Sequence, residues 1–293
     1  MRLGAHVSIA GGADLAVLRG LELDCEAIQI FTKNNNQWRA ARLKKEVIER
    51  FRANLADSGM HPVVAHTSYL INLGSSHKRL WNKSCKSFEI ELERCEMLGV
   101  PYLVTHPGSH TGAGIDQGLR NLADALDLVH AHTEGHHVVT LVEHMAGQGT
   151  NLCGDLEQIG RLLEMVKHRE RVGVCLDTCH LFAAGFDYRS PEKYEALMRD
   201  IDRSFGLQSI KCVHLNDSKT GLGSRVDRHE HIGKGKIGRL GFQLFLTDPR
   251  FREVAGLIET PTDGSGKDER RNLRTLRRLA SKPLNAVQVG PII

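Results

Sequence analysis

Short apolar stretches rich in β-branched residues run repeatedly into a histidine or an acid. They are Leu3–His6, Val63–His66, Tyr102–His106, Val138–Glu143, Val172–Asp177, Ile210–His214 and Val254–Glu259. They recur at roughly 35 to 45 residues, about one strand plus one helix. Ala27–Phe31 reads as a further strand. Helical periodicity fills the intervals at Ala13–Leu23, Lys44–Ser58, Lys78–Leu98, Asp116–Glu134, Asp155–His168, Pro191–Phe205, Leu240–Leu246 and Asp268–Ala280. In the second of these, Val47, Ile48, Phe51 and Leu55 make one apolar face. Asp155 and Ser190 are expected as N-caps, with Pro191 at the first helical position. No linker or low-complexity segment interrupts the alternation. It predicts an α/β chain with a parallel sheet, closed into a single (β/α)8 barrel over residues 1–285, with a short tail at 286–293.

In such a barrel the strand C-termini open on one face, so the terminal His, Asp and Glu side chains converge. The chain has 16 histidines and 35 acids in 293 residues, too few to occupy nearly every strand end by chance. The convergence predicts a multi-metal hydrolytic site. Three loops on that face, Thr32–Leu43, Thr67–His77 and Asn216–Gly238, exceed what a barrel needs and are expected to bind substrate.

Composition adds boundaries. A net charge of +4 and a pI near 8.7 permit a polyanionic partner without requiring one. The seven cysteines are scattered with no CxxC pair, which reads as reduced thiols in a cytoplasmic protein. Arg2–Val7 begins a strand at once, with no signal-peptide core, and no apolar run approaches the roughly 20 residues of a membrane span.

The strongest local signal is Val172–His180, where Asp177 ends a strand and His180 follows three residues later on the ensuing turn. A carboxylate and an imidazole at that spacing can reach adjacent metals. The bland alternative makes Asp177 a helix cap and His180 a rim residue. In Ser224–His231, Asp227 and His229 share one face of an extended segment, with His231 on the same side as a competing ligand. A charged, solvated loop is the alternative there. His66, His106, Glu143, His214 and Glu259 complete one rim. A Glu can bridge two cations, and an N/O donor set without thiolate suits catalytic Zn²⁺ or Mn²⁺. Gly233–Gly238 fits GxGxxG, but no strand precedes it, so a dinucleotide site is rejected. Arg270, Arg271, Arg274, Arg277 and Arg278 read as the solvated side of the last helix, with DNA contact a minor alternative.

These residues resemble the endonuclease IV family of apurinic/apyrimidinic endonucleases. The matching segments are Gly4–Gly12, Phe31–Asn34 with Gln37-Trp38, Ser68–Gly74, His106–His110, Asp177–Gly185, His214–Lys219, Ser224–His229 and Glu259–Pro261. The resemblance implies a barrel holding three divalent metal ions, with zinc favoured and manganese also suited to the carboxylates. His66, His106 and Glu143 would hold one ion, and Glu143, Asp177, His214 and Glu259 the second. His180, Asp227 and His229 would hold the third. Glu143 and Glu259 would be the catalytic carboxylates, and a bridging hydroxide would attack the phosphate 5′ to an abasic sugar. The implied partner is double-stranded DNA with abasic sites or blocked 3′ ends. The implied protein is a monomer in the cytoplasm, at the nucleoid if bacterial. Tyr69 and Leu70 would wedge into the base stack, against the alternative that they are buried loop anchors. His6 and Arg225 would line the phosphate groove.

Two departures stand out against that family. His144-Met145 follow the bridging Glu where relatives carry Asn-Thr, which offers an altered outer shell or an extra ligand. Asn36 stands where many relatives place an Arg that probes DNA, an expected cause of weakened or relocated recognition. Two other readings compete. A sugar isomerase or epimerase on a similar barrel should have fewer ligands and no wedge loop. A non-catalytic damage-binding protein should have lost a ligand, and none is missing.

Overall fold

The computed structural model describes residues 1–283, so the expected tail at 286–293 and the domain boundary at 285 lie outside the described residues. Eight parallel strands form the centre of the molecule: β1 (Arg2–His6), β2 (Ala27–Phe31), β3 (Val63–His66), β4 (Tyr102–Thr105), β5 (Val139–Glu143), β6 (Val172–Asp177), β7 (Ile210–His214) and β10 (Ala255–Ile258). They close into a barrel in the order β1-β10-β7-β6-β5-β4-β3-β2. Helices α1 (Asp14–Glu22), α2 (Lys45–Ser58), α3 (Lys78–Leu98), α4 (Ile115–His132), α5 (Leu156–Met165), α7 (Pro191–Phe205), α8 (Arg239–Thr247) and α9 (Lys267–Ala280) surround them. Every predicted strand and helix is present. The expected caps are there too: Asp155 accepts the Glu157 N–H, and Ser190 accepts the Lys193 N–H ahead of Pro191.

One helix lies outside the predicted intervals and matches only the alternative reading of Asp177 as a cap. It is α6 (Thr178–Ala184), which starts at the residue after β6, where a turn was expected. Among the described residues no helix is long and apolar enough to cross a membrane.

The strands are buried on both faces, as parallel strands are. Alternate residues therefore feed two cores. Ile28, Val63, Ala65, Leu103, Val142, Val174 and Val213 belong to the large core shared with the helices. Ala27, Val64, Val104, Leu141, Cys175, Cys212, Ala255 and Leu257 form a separate interior plug. Gly4 completes β1, because a Cβ there would stand 1.7 Å from the Ala27 carbonyl oxygen. Of the long loops, Asn216–Gly238 contains an antiparallel pair, β8 (Asp217–Ser218) with β9 (His229–Glu230).

Candidate metal centre

The strand register places the ligand-type residues in a ring. His6 lies opposite Gln29, and Asp177 opposite His214. Glu143 occupies the middle, fully buried. His66 Nε2 (3.3 Å), His106 Nε2 (3.4 Å), His180 Nδ1 (3.3 Å) and His214 Nδ1 (3.2 Å) all approach its carboxylate. Glu259 Oε2 lies 3.2 Å from His214 Nδ1. Asp227 lies 3.2 Å from both His180 Nε2 and His229 Nε2.

Among the described residues five groups have one donor atom per residue within 4.8 Å of one another. Three of them use only predicted ligands: His66 with His106 and Glu143; Glu143 with Asp177, His214 and Glu259; His180 with Asp227 and His229. The other two set Cys175 and Cys212 beside His214, and Cys179 beside Asp177 and His229. All nine predicted ligands are thus brought together. The loop segment holding Asp227 and His229 reaches the rim because β9 pairs with β8.

Burial alone would push the Glu143 carboxyl up and the imidazoles down. The crowd of opposite charges outweighs it. Glu143 is held well below the ordinary carboxylate range, mainly by His214 and His106. His180 and His214 are raised well above an ordinary imidazole by Asp177 and Glu259 respectively, together with Glu143. Burial opposes His229 as well, yet Asp177 and Asp227 lift it to about 9. The carboxyls of Asp227 and Glu259 are depressed against their own burial by neighbouring imidazoles.

The surrounding carboxylates thus favour the protonated imidazoles of His180, His214 and His229. Divalent ions fit the same set by displacing those protons. The buried Nε2 atoms of His180 and His229 make no aligned hydrogen bond despite their carboxylate neighbours, so their lone pairs remain available to a metal.

Asp177 is the helix cap of the alternative reading, whereas His180 is buried rather than a rim residue. Asp177 Oδ1 accepts the His180 N–H at 2.8 Å and caps α6, while Oδ2 accepts from Asn216 Nδ2 at 2.7 Å and faces His229 at 3.7 Å.

His231 is not a competing ligand. Beyond β9 the chain turns, and His231 Nδ1 takes a hydrogen bond from Asn272 of α9 at 3.1 Å. His144 offers no extra ligand. Its ring packs against Phe186, 5.7 Å between centroids, and burial drives it down to about 3. Its carbonyl instead receives His180 Nδ1 at 2.8 Å.

The GxGxxG segment wraps a buried carboxylate. Asp217 accepts the N–H groups of Gly233, Gly235 and Ile237 at 2.9–3.0 Å, and a Cβ on Gly235 would stand 2.5 Å from Asp217 Oδ1. Arg270 and Arg277 bond the Glu22 and Asp24 carbonyls at the end of α1, so part of the Arg cluster ties helices together.

Two residues were missed. Gln29, fully buried, donates from Nε2 to Glu259 Oε1 (2.6 Å) and to His6 Nδ1 (2.9 Å), while its Oε1 faces His214 Nε2 (2.8 Å). Asn216 holds Asp177, and its Oδ1 accepts the Glu259 N–H at 2.8 Å. The available signal for Gln29 was one polar residue inside the apolar run Ala27–Phe31.

On the rim, Tyr69 is 55% exposed, with its ring 5.6–5.8 Å from Phe31, His66 and His106, so it is not a buried anchor. Leu70 is half-buried; Asn36 and Arg225 are exposed. Arg225 adopts φ 53°, and its N–H bonds the Ala183 carbonyl at 2.9 Å. His6 is kept neutral by burial, and its ring lies tilted at 51° to that of Phe31, 4.4 Å between centroids. A groove of about 520 Å³ opens beside it.

Residues 18–281 match the family described as xylose isomerase-like TIM barrel. "Probable endonuclease 4" of Chloroflexus aggregans is 48% identical over 278 residues, covering 95% of this chain and 97% of the relative. The crystal structure of endonuclease IV from Thermus thermophilus superposes with a TM-score of 0.84 at 39% identity, covering 95% of this chain and 98% of that one. A D-tagatose 3-epimerase-like protein matches with a TM-score of 0.69 at 18% identity, covering 96% of this chain and 98% of that one, a likeness of fold alone.

Proposed function

The chain belongs to the endonuclease IV family of metal-dependent deoxyribonucleases of DNA repair, and we propose that it hydrolyses the phosphodiester 5′ to abasic sites, leaving a 3′-hydroxyl and a 5′-deoxyribose phosphate. Clearing blocked 3′ ends is the same hydrolysis applied to a strand terminus. The observation that carries the reading is Glu143, a single buried carboxylate shared by the three-residue and four-residue donor groups, with a third group adjoining at His180.

The residues fit three divalent ions: His66, His106 and Glu143 for one; Glu143, Asp177, His214 and Glu259 for another; His180, Asp227 and His229 for the last. Zinc suits the imidazole-rich sets and manganese the carboxylates. When bound, such ions supply positive charge to the phosphate oxygens and make water acidic enough to attack near neutral pH.

The chain's own residues provide the rest. Gln29 and Asn216 fix the orientation of Glu259, His214 and Asp177. Tyr69 and Leu70 stand over the mouth, where a ring and an apolar branch fill the gap of a missing base. Arg225, exposed, meets the phosphate backbone, and neutral His6 lines a groove that continues toward Asn34 and Arg270. A monomer in the cytoplasm, on the nucleoid, meets these demands.

The test is incision of a duplex with one abasic analogue by protein of known metal content, before and after chelation. Cleavage 5′ to the lesion, lost with the metal and restored by adding it back, is the expected outcome. An intact duplex with metal fully loaded would overturn the reading.

A further inference from the structure

The loops Thr32–Leu43 and Thr67–His77 leave neighbouring strands and meet on a carboxylate that belongs to neither. Glu91, midway along α3, is fully buried. Its Oε1 accepts the Ser68 N–H at 3.0 Å and lies 3.5 Å from Lys33 Nζ. Its Oε2 accepts the Thr32 hydroxyl at 3.0 Å. Lys33, also buried, donates onward to the Gln37 carbonyl at 2.6 Å. Ser68 Oγ closes the circle by donating to the Asn35 carbonyl at 2.6 Å. One turn along α3, Arg94 donates to the Thr32 and Ala41 carbonyls.

Burial pushes the Glu91 carboxyl up, and the Ser68 N–H, Lys33 and the Thr32 hydroxyl oppose that rise. Such a buried ion pair is a costly way to pack two loops, since apolar side chains of similar volume often hold a core as well. What the charges add is direction, because the Ser68 N–H and the Thr32 hydroxyl aim at fixed lone pairs. Tyr69 follows Ser68 directly, and Asn36 follows Asn35 directly. The residues assigned to DNA contact therefore hang one position from the clamp. Glu91 makes no hydrogen bond or ion pair with the nine ligand-type residues; its direct contacts are with the two loops.

We propose that Glu91 is a positioning residue that locks the two loops into one rigid edge, so that Tyr69, Leu70 and Asn36 meet a DNA duplex already arranged. The proposal rests on reading this rim as the DNA-binding face. Preorganisation of this kind lowers the ordering cost of binding.

Glu91→Gln is nearly isosteric and keeps a carbonyl for Ser68 while losing the ion pair with Lys33. Amide hydrogen exchange in segments 32–38 and 67–73 should rise together by about tenfold or more, the size expected for losing a hydrogen bond to a charged group. KM for abasic duplex should rise about tenfold, with kcat, bound metal and hydrolysis of bis(p-nitrophenyl) phosphate unchanged. Thr32→Val cuts one arm of the clamp and should give the same pattern at smaller size, which covers failure of Glu91→Gln to fold. Faster exchange in one loop only, an unchanged KM, or a fall in kcat with loss of metal overturns the proposal. A wild-type protein that leaves abasic duplex intact sinks the DNA reading, and the exchange experiment still decides the clamp.

Discussion

Two residues separate a dry ring from a charged one on strand after strand. Ala27, Val64, Val104, Leu141, Cys175, Cys212 and Leu257 plug the barrel, and Gln29, His66, His106, Glu143, Asp177, His214 and Glu259 follow two positions later. Side chains two apart on a strand share a face, so only a change of residue type turns the plug into the site. The lower ring depends on volume and the upper on partners. The lower ring also gives the upper a water-free floor, where charges act more strongly than in solvent. The imidazoles repeat the contrast between the barrel's two ends. At the rim, carboxylates raise His180 and His214 well above an ordinary imidazole. At the opposite end, burial, then Arg171 and His168, drives His130 down to about 3.

Breaking the upper ring at its centre should have the largest effect. Glu143→Gln should keep the fold and lower abasic-site incision by about a thousandfold, with metal content falling alongside; substantial turnover would remove Glu143 from the centre. Breaking the lower ring should act on stability instead. Leu141→Ala should cost about 2–5 kcal/mol in urea unfolding, while incision per bound metal stays near that of wild type. A Leu141→Ala protein that is stable yet inactive would erase the distinction between the rings. Gln29→Leu belongs to the upper ring without being a ligand, and should weaken metal affinity or turnover about 10–100-fold, measured by competition with a chromophoric chelator. Tyr69→Ala should weaken abasic-duplex binding about tenfold and leave metal content intact; unchanged affinity argues against the wedge. The last effect is at the far end and appears only in acid. His130 cannot take up the proton that it binds in the unfolded chain, so stability should fall as pH drops from about 6.5 toward about 3. His130→Gln should flatten that slope in urea midpoints, and an unaltered slope would mean that His130 is not the group responsible.

The barrel was legible because every parallel strand but β2 is an apolar run that stops at or just before a histidine or an acid, and eight strand-helix units leave one closed arrangement. The ligand set was legible for the same reason, since most of its members mark where a run stops. Gln29 escaped because β2 ends on Phe31, so the residue entering the ring lies two positions before the visible end. Asn216 escaped because it follows the strand that His214 closes. α6 is seven residues long and starts without an intervening loop, so only the cap on Asp177 distinguishes it from a turn. His231 looked equivalent to His229 because alternation holds only while the chain stays extended, and the chain bends after Glu230. The clamp at Glu91 was invisible, since helix periodicity reports which face is buried but not which loops arrive there.

Asp177 carries one further consequence. One of its oxygens sets where α6 begins and the other faces His229 and Asn216. It therefore acts as a ruler whose unit is a single helical turn. An insertion anywhere on the outer helices leaves that ruler untouched. An insertion between Asp177 and His180 would uncap α6 and swing the imidazole roughly 100° around its axis, emptying one donor group and unsettling its neighbour together. The spacing of the donor groups is therefore set as one block, and the loops are the part of this face that can change without disturbing it.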